Sequence, residues 1–298
     1  MKPGASLKTL PNDSSALCKI EPIPTSRVSA FFGKAGEGCC ETWRAALVGS
    51  PYHAWVKFED DPRRIIAELV CSQVGRALGL PIPRPHLVCL QPEDIPKESV
   101  WHGIDAPRWC FASQHAGKRP KSFARHLRSE DPVFKRALSS WTGFYAAMVF
   151  DEWIANDDRN LGNLLFDPVD QSFWMIDHGN GLTGAYWPIW GLKDADIVMG
   201  NVLADELVAA ATLKVTEAMR IEQTANAQMR DAANILWSEV GTEEYISKLA
   251  QGVKPEEVRG FLTDRIQHTA RLLMARLGYP QLELSYGDHT RPVDASIH

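Results

Sequence analysis

The sequence predicts an α+β chain of two lobes: a small antiparallel β N-lobe with one helix, and a larger, mainly helical C-lobe. Three observations predict it. Short β-like runs separated by glycine and proline turns fill the stretch before about residue 115, and a single helical pattern interrupts them. Beyond about residue 120 helical patterns dominate, and only residues 163–177 look β-like. The chain has 298 residues, with 45% apolar and 23% charged, enough for one large domain or two lobes around a sizeable core.

Residues 1–24, rich in Pro, Ser and Asn, read as a flexible N-terminal arm. The N-lobe is placed at 25–115. Its first strands are expected at 28–32, 43–48 and 53–58, with Gly33, Gly36 and Gly38 between the first two and a Gly49-Ser50-Pro51 turn before the third. A helix follows. Pro62 suits its first turn, Ile66, Val70, Val74 and Leu78 repeat at helical spacing, and Gly79 and Pro81 stop it. Strands at 86–90 and 109–113, joined by a polar loop, complete this lobe. The C-lobe, 116–280, carries helical patterns at 132–155, 202–220, 223–239 and 255–277. Residues 281–298 form a C-terminal tail.

Charge and composition exclude several classes. A net charge of −5 gives no basic field for nucleic acid or an anionic membrane. No apolar run approaches the ~20 residues of a membrane span. The first twenty residues lack the apolar core of a secretory signal, so a cytoplasmic location is expected. Six cysteines (Cys18, Cys39, Cys40, Cys71, Cys89, Cys110) show no C-x-x-C spacing and read as buried free thiols.

The informative stretch is 156–179, NDDRNLGNLLFDPVDQSFWMIDHG. Asp158 and Asn163 stand where a helix gives way to a short hairpin, and Asp177 ends the second strand of that hairpin. A hairpin brings its ends together, so Asn163 and Asp177 can face one cavity. Mg²⁺ prefers oxygen ligands and binds through one or two carboxylates plus substrate phosphates, which an amide oxygen and a carboxylate satisfy. Asp158 is then free to orient an attacking hydroxyl or accept its proton. Asp157 is a rival, but the five-residue spacing to Asn163 favours Asp158. Upstream, Lys57 lies in a β-like run and Glu68 on the following helix. A strand lysine held by a helix glutamate can neutralise phosphate oxygens, with the glycine segment as a lid over them. These residues together predict an ATP- and Mg²⁺-dependent phosphotransferase.

The ordered motifs resemble the HipA-like kinases, relatives of the phosphatidylinositol 3/4-kinase-like branch of the protein-kinase fold. They are Val56-Lys57-Phe58, Ala67-Glu68-Leu69, Leu78-Gly79-Leu80-Pro81-Ile82-Pro83, Asp151 through Arg159, Asn163-Leu164-Leu165 and Ile176-Asp177-His178-Gly179. The resemblance implies that Lys57 binds ATP phosphates and Glu68 holds it. It implies Asp158 as the catalytic aspartate, Asn163 and Asp177 as Mg²⁺ ligands, and Ser or Thr of a protein as acceptor. It raises the expectation of an antitoxin-like partner and of adenine contacts from the backbone of residues 110–114. The metal motif reads Asp177-His178-Gly179, and the glycine segment is not a standard G-x-G-x-x-G. The aminoglycoside-phosphotransferase branch places a histidine where Asn156 stands, which argues against that branch. A nucleotide-binding pseudokinase serving a partner is the alternative.

Around this set the plainer readings are structural. His178 reads as a packed core histidine, and Trp187 and Trp190 as core aromatics with an acceptor pocket as their other role. Arg159 reads as an ion-pair residue holding the loop or as a phosphate contact. Arg265, Arg271 and Arg276 read as the solvated face of the last helix.

Overall fold

Alternation along each strand decides which way its side chains face, and the N-lobe sheet follows from it. In this computed structural model the described residues are 20–36, 40–122, 137–138, 140–184, 187, 191–209, 213–249 and 252–279. Strands β1 (Thr25–Ser26), β2 (Val28–Lys34), β3 (Glu41–Leu47), β4 (His53–Phe58), β5 (Pro85–Leu90) and β6 (Arg108–Gln114) form one sheet in the order β1-β5-β6-β4-β3-β2. The sheet is mixed and not purely antiparallel: β1, absent from the sequence reading, runs parallel to β5.

The back face of the sheet buries Trp43, Ala45, Leu47, Ala54, Val56, Phe58, Cys110 and Ala112 as a separate core. The polar loop between β5 and β6 covers this face with Ile95 and Trp101, the latter stacked on Phe58 at 4.8 Å between ring centroids. The front face of β4 carries Trp55 and Lys57.

Helix α1 (Pro62–Ala77) is capped by the Asp61 carboxylate, which accepts from Arg63 N, and ends before Gly79 at φ 75°. Residues 65–75 are all buried. The helix packs on β5 and β6 and also enters the main core with α2 (Phe144–Trp153). Gly75 permits this approach, since a Cβ there would lie 2.8 Å from Phe150 Cζ. Residues 20–24, the end of the stretch read as an arm, are anchored here: Ile20 is buried, Gln73 Nε2 donates to Glu21 O at 3.0 Å, and Arg76 pairs with Glu21 at 2.9 Å.

In the C-lobe, β8 (Leu164–Asp167) and β9 (Ser172–Met175) form the expected hairpin. A short strand β7 (Lys121–Ser122), not foreseen, joins β8. Gly117 and the buried Asp167 tie the interlobe linker to this hairpin. The Asp167 carboxylate accepts from Lys118 N, from Arg119 N at 2.9 Å and from Val169 N at 2.8 Å.

Helices α3 (Val202–Ala209), α4 (Val215–Ala233), α5 (Trp237–Val240), α6 (Thr242–Leu249) and α7 (Pro255–Arg276) follow. The expected break at 221–222 is absent. α4 runs through it because Ala218, Ile221, Ala225, Met229 and Ala232 form one buried stripe against the core. The pattern read as helix at 132–155 resolves into turns at 141–144 and then α2, while residues 123–136 lie outside the described residues.

Arg265 corrects the reading of a solvated face. It is fully buried, with Nε donating to Glu152 O at 2.9 Å and Nη1 to Ala195 O and Ile197 O at 2.7 and 2.8 Å. The Ala195 and Ile197 carbonyls lie in an irregular segment and Glu152 O in the last turn of α2, and this side chain supplies donors to all of them. Arg276 is partly buried against Glu152, and Arg271 alone of the three is exposed.

Among the described residues no helix is long and apolar enough to cross a membrane. Cys71, Cys89 and Cys110 are free thiols; among the described cysteines Cys71 and Cys110 are buried, whereas Cys40 and Cys89 sit at the margins of the sheet. Cys18 and Cys39 lie outside the described residues.

Candidate active site

A cleft of about 660 Å³ lies between the N-lobe sheet and the β8–β9 hairpin. Its lining is of two kinds: Trp55, Ile82, Phe111, Leu165 and Met175 are apolar, and Lys57, Glu68, Asp158, Asn163 and Asp177 are polar or charged. A β4 side chain, an α1 side chain and three residues of the 158–177 stretch thus meet across separations of more than 100 residues.

Lys57 is the junction. Its ammonium pairs with Glu68 and with Asp177 Oδ1 at 2.8 Å. Glu68 is buried, and its second oxygen accepts from His178 N at 2.8 Å. Burial disfavours the charge on Lys57, but Glu68 and Asp177 outweigh it and hold the ammonium protonated beyond the ordinary lysine range. Burial likewise opposes ionisation of Asp177, and Lys57 reverses that, holding the carboxyl at about 2.

This depression has a pH consequence. Ionised Asp177 contributes stability above its unfolded value near 3.8, and the contribution is lost as pH falls toward about 2. Thermal unfolding of wild type and Asp177→Asn is expected to show a gap that is constant near neutrality and narrows below about pH 4. A gap that widens on acidification would contradict the pairing.

Two carboxylates share one ammonium here, so the cluster carries one excess negative charge, which suits a divalent cation. Asn163 and Asp177 flank the open end of the hairpin, joined by Ile176 N donating to Asn163 O at 3.0 Å. Asn163 Nδ2 donates to Asp158 O at 2.7 Å, leaving its amide oxygen as the atom able to ligate a cation. Asp177, expected to end the second strand, stands two residues beyond the end of β9 at Met175 and adopts φ 61°, in the left-handed region. Among the described residues no group of three or more His, Cys, Asp or Glu could hold a metal. An Mg²⁺ site of one carboxylate, one amide oxygen, phosphate oxygens and water needs no such cage.

Asp158 lines the cleft and Asp157 does not; the latter lies against Gly184 and Gly200, and burial pushes its carboxyl up. Both Asp158 oxygens are held by amides, Oδ1 by Asn160 Nδ2 at 3.0 Å and Oδ2 by Asn180 Nδ2 at 2.9 Å. Arg159 is an internal brace. It is fully buried, pairs with Asp151 at 3.0 Å, and donates to Asn163 O at 3.3 Å and to Ile176 O. One guanidinium therefore holds both ends of the hairpin.

Of the three glycines, Gly36 lines the cleft beside Lys34 and Ala35, Gly33 lies in β2 away from it, and Gly38 is outside the described residues. The linker residues that line the cleft are Ser113 to Ala116. The backbone of residues 110–114 is not the open ligand surface expected of it. Phe111 to Ser113 pair with strands on both sides, and Gln114 N donates to Arg84 O. His178 is a buried core residue beside Phe150, its pKa pushed well down by burial. Trp187 is buried in the main core, and Trp190 lies outside the described residues. Sequence reasoning missed Asn160, Asn180, Trp55 and His115. The alternation that put Lys57 on the front face also put Trp55 there, so Trp55 alone carried a usable signal.

A two-lobed α+β fold with this lysine–glutamate pair and Asp-Asn-Asp set defines a kinase, a phosphotransferase. Residues 49–186 match the family model described as HipA-like kinase, a span that holds every residue of the set. No curated protein sequence matches the chain. Among solved structures it is similar to the Helicobacter pylori proinflammatory kinase CtkA, at 14% identity and TM-score 0.47, covering 86% of this chain and 97% of that one. It is also similar to the Mycobacterium tuberculosis PknI kinase domain, at 15% identity and TM-score 0.32, covering 83% and 86%.

Proposed function

We propose that the chain transfers the γ-phosphoryl group of ATP, with Mg²⁺, to a hydroxyl, and that the acceptor is Ser or Thr of a protein. The observation that carries this is Lys57, held by Glu68 and Asp177 in a cleft that also presents apolar and aromatic side chains. A nucleoside triphosphate combines the same two characters. Mg²⁺ would supply charge neutralisation to the phosphates when bound. Asn163 and Asp177 would hold it, and Lys57 would face the remaining phosphate charge. Asp158, fixed by two amides, orients the acceptor hydroxyl and takes its proton.

The test is label transfer from γ-labelled ATP with Mg²⁺, using the purified chain alone and with cell lysate. Acid-stable label on Ser or Thr is expected, and Lys57→Ala is expected to lower the rate by more than about tenfold. Absence of labelled protein from every mixture would sink the protein-acceptor reading.

A further inference from the structure

We propose that the front face of the N-lobe sheet outside the cleft, built on Phe32, Arg44 and His53, is a docking surface for an acidic, aromatic-bearing segment of a partner protein. Alternation places Trp43, Ala45 and Leu47 of β3 in the back core and Arg44 on the front, and it places His53 on the same side as Trp55 and Lys57. Phe32 reaches that side through an irregularity. Phe31 pairs with Ala45 and Gly33 with Arg44, so two residues of β2 stand against one of β3, the pattern of a β-bulge. Phe31 keeps its ring edge-on to Trp43 and Phe58 at the back core, while Phe32 turns outward and stays 47% exposed. β2 is the edge strand of the sheet, and no described strand pairs with its outer side.

The groups around the Phe32 ring are basic. Arg44 Cζ lies 5.6 Å from its centroid, and the His53 ring lies 4.6 Å from it. Among the described residues Arg44 has no carboxylate partner. His115 stands close by: burial lowers its pKa first, and His53 and Arg44 lower it further. The carboxylate that acts the other way is Asp167, whose oxygens already accept from the backbone N–H groups of Lys118, Arg119 and Val169. Basic groups thus crowd together in a chain of net charge −5. An acidic partner relieves that crowding, and the exposed Phe32 ring gives it an apolar contact. One guanidinium and two imidazoles match a short acidic segment. The continuous charge of a nucleic acid or an anionic membrane calls for a wider basic field.

Fluorescence anisotropy on the full chain tests the surface without relying on catalysis. The probes are labelled poly(Glu,Tyr), poly(Glu) and poly(Lys,Tyr), with duplex DNA and anionic phospholipid vesicles as competitors. Wild type is expected to bind poly(Glu,Tyr) best, poly(Glu) more weakly and poly(Lys,Tyr) least. Arg44→Glu is expected to weaken poly(Glu,Tyr) binding by about ten- to thirtyfold, and Phe32→Ala by about fivefold, to the level of poly(Glu). Arg44→Lys, which keeps the charge, is expected to retain most of the binding. An unchanged unfolding temperature reports an intact fold in each variant. Unchanged binding by Arg44→Glu, equal binding of poly(Lys,Tyr), or no binding of any copolymer would overturn the proposal. DNA or vesicles that bind through Arg44 more tightly than poly(Glu,Tyr) would overturn it in favour of that polyanion. None of these outcomes bears on phosphoryl transfer, because Phe32, Arg44 and His53 do not line the cleft.

Discussion

Asp158→Asn is expected to lower phosphoryl transfer by roughly 10²–10⁴-fold, the usual loss on removing a positioned acid–base group, while ATP still binds. The site is arranged for this outcome. In the proposed reading Lys57, Glu68, Asn163 and Asp177 bind the phosphates, and their mutual contacts do not use the Asp158 side chain; its backbone carbonyl accepts from Asn163. An asparagine keeps that carbonyl and the side-chain shape, but it carries no charge and cannot accept the acceptor's proton. It also sets one of its own amide hydrogens against Asn160 or Asn180, both of which donate to the native carboxylate. Single-turnover label transfer and nucleotide-induced thermal stabilisation, measured on the same preparation, check the prediction. Transfer that persists unchanged would remove Asp158 from the chemistry. A wild type that binds ATP and transfers nothing would favour the pseudokinase alternative.

Arg159→Leu is expected to destabilise the fold by about 3–5 kcal/mol, the cost typical of leaving a buried charge without its partner. Asp151 is wholly buried and receives Arg159 through Nε and Nη2, with Asn156 Nδ2 as a further donor at 3.0 Å. Burial already pushes the Asp151 carboxyl up against the pull of Arg159. Without the guanidinium it rises further, and a group whose folded pKa is raised loses stability as pH climbs through that value. The deficit of the variant is therefore expected to grow as pH rises above the raised value at which Asp151 ionises in the wild type. Urea midpoints at several pH values measure it, and Asp151→Leu combined with Arg159→Leu should recover part of the loss. A deficit independent of pH would mean that Asp151 is not the group left exposed to the change.

Much of the site was legible because its signals are local. Lys57 and Glu68 sit on a strand and the next helix, and the 158–177 stretch folds on itself as a hairpin, so spacing alone brings the residues close. β-like runs between glycine and proline turns located β2 to β6, and a proline start with a glycine stop bounded α1. What stayed hidden depends on partners far along the chain. Arg265 looks like any helix-surface arginine until Glu152 and the carbonyls of 195–197 close over it, more than 60 residues away. Asn180 has no pattern of its own; only the turn after Gly179 carries its amide to Asp158. The break between α3 and α4 was misplaced because an apolar stripe reports a helix face and says little about where a helix stops. β1 and β7, at two residues each, are too short to alternate.

Helix α1 has a mechanical consequence. It is buried along residues 65–75 and wedged between the N-lobe sheet and α2, with Gly75 pressed against Phe150. Interiors packed this closely do not deform gradually. Swinging Glu68 away from Lys57 would also strip the amide of His178 of its acceptor. Displacing the ion pair would therefore disturb the packing of α1 and a buried hydrogen bond at the same time, which builds the pair into the scaffold.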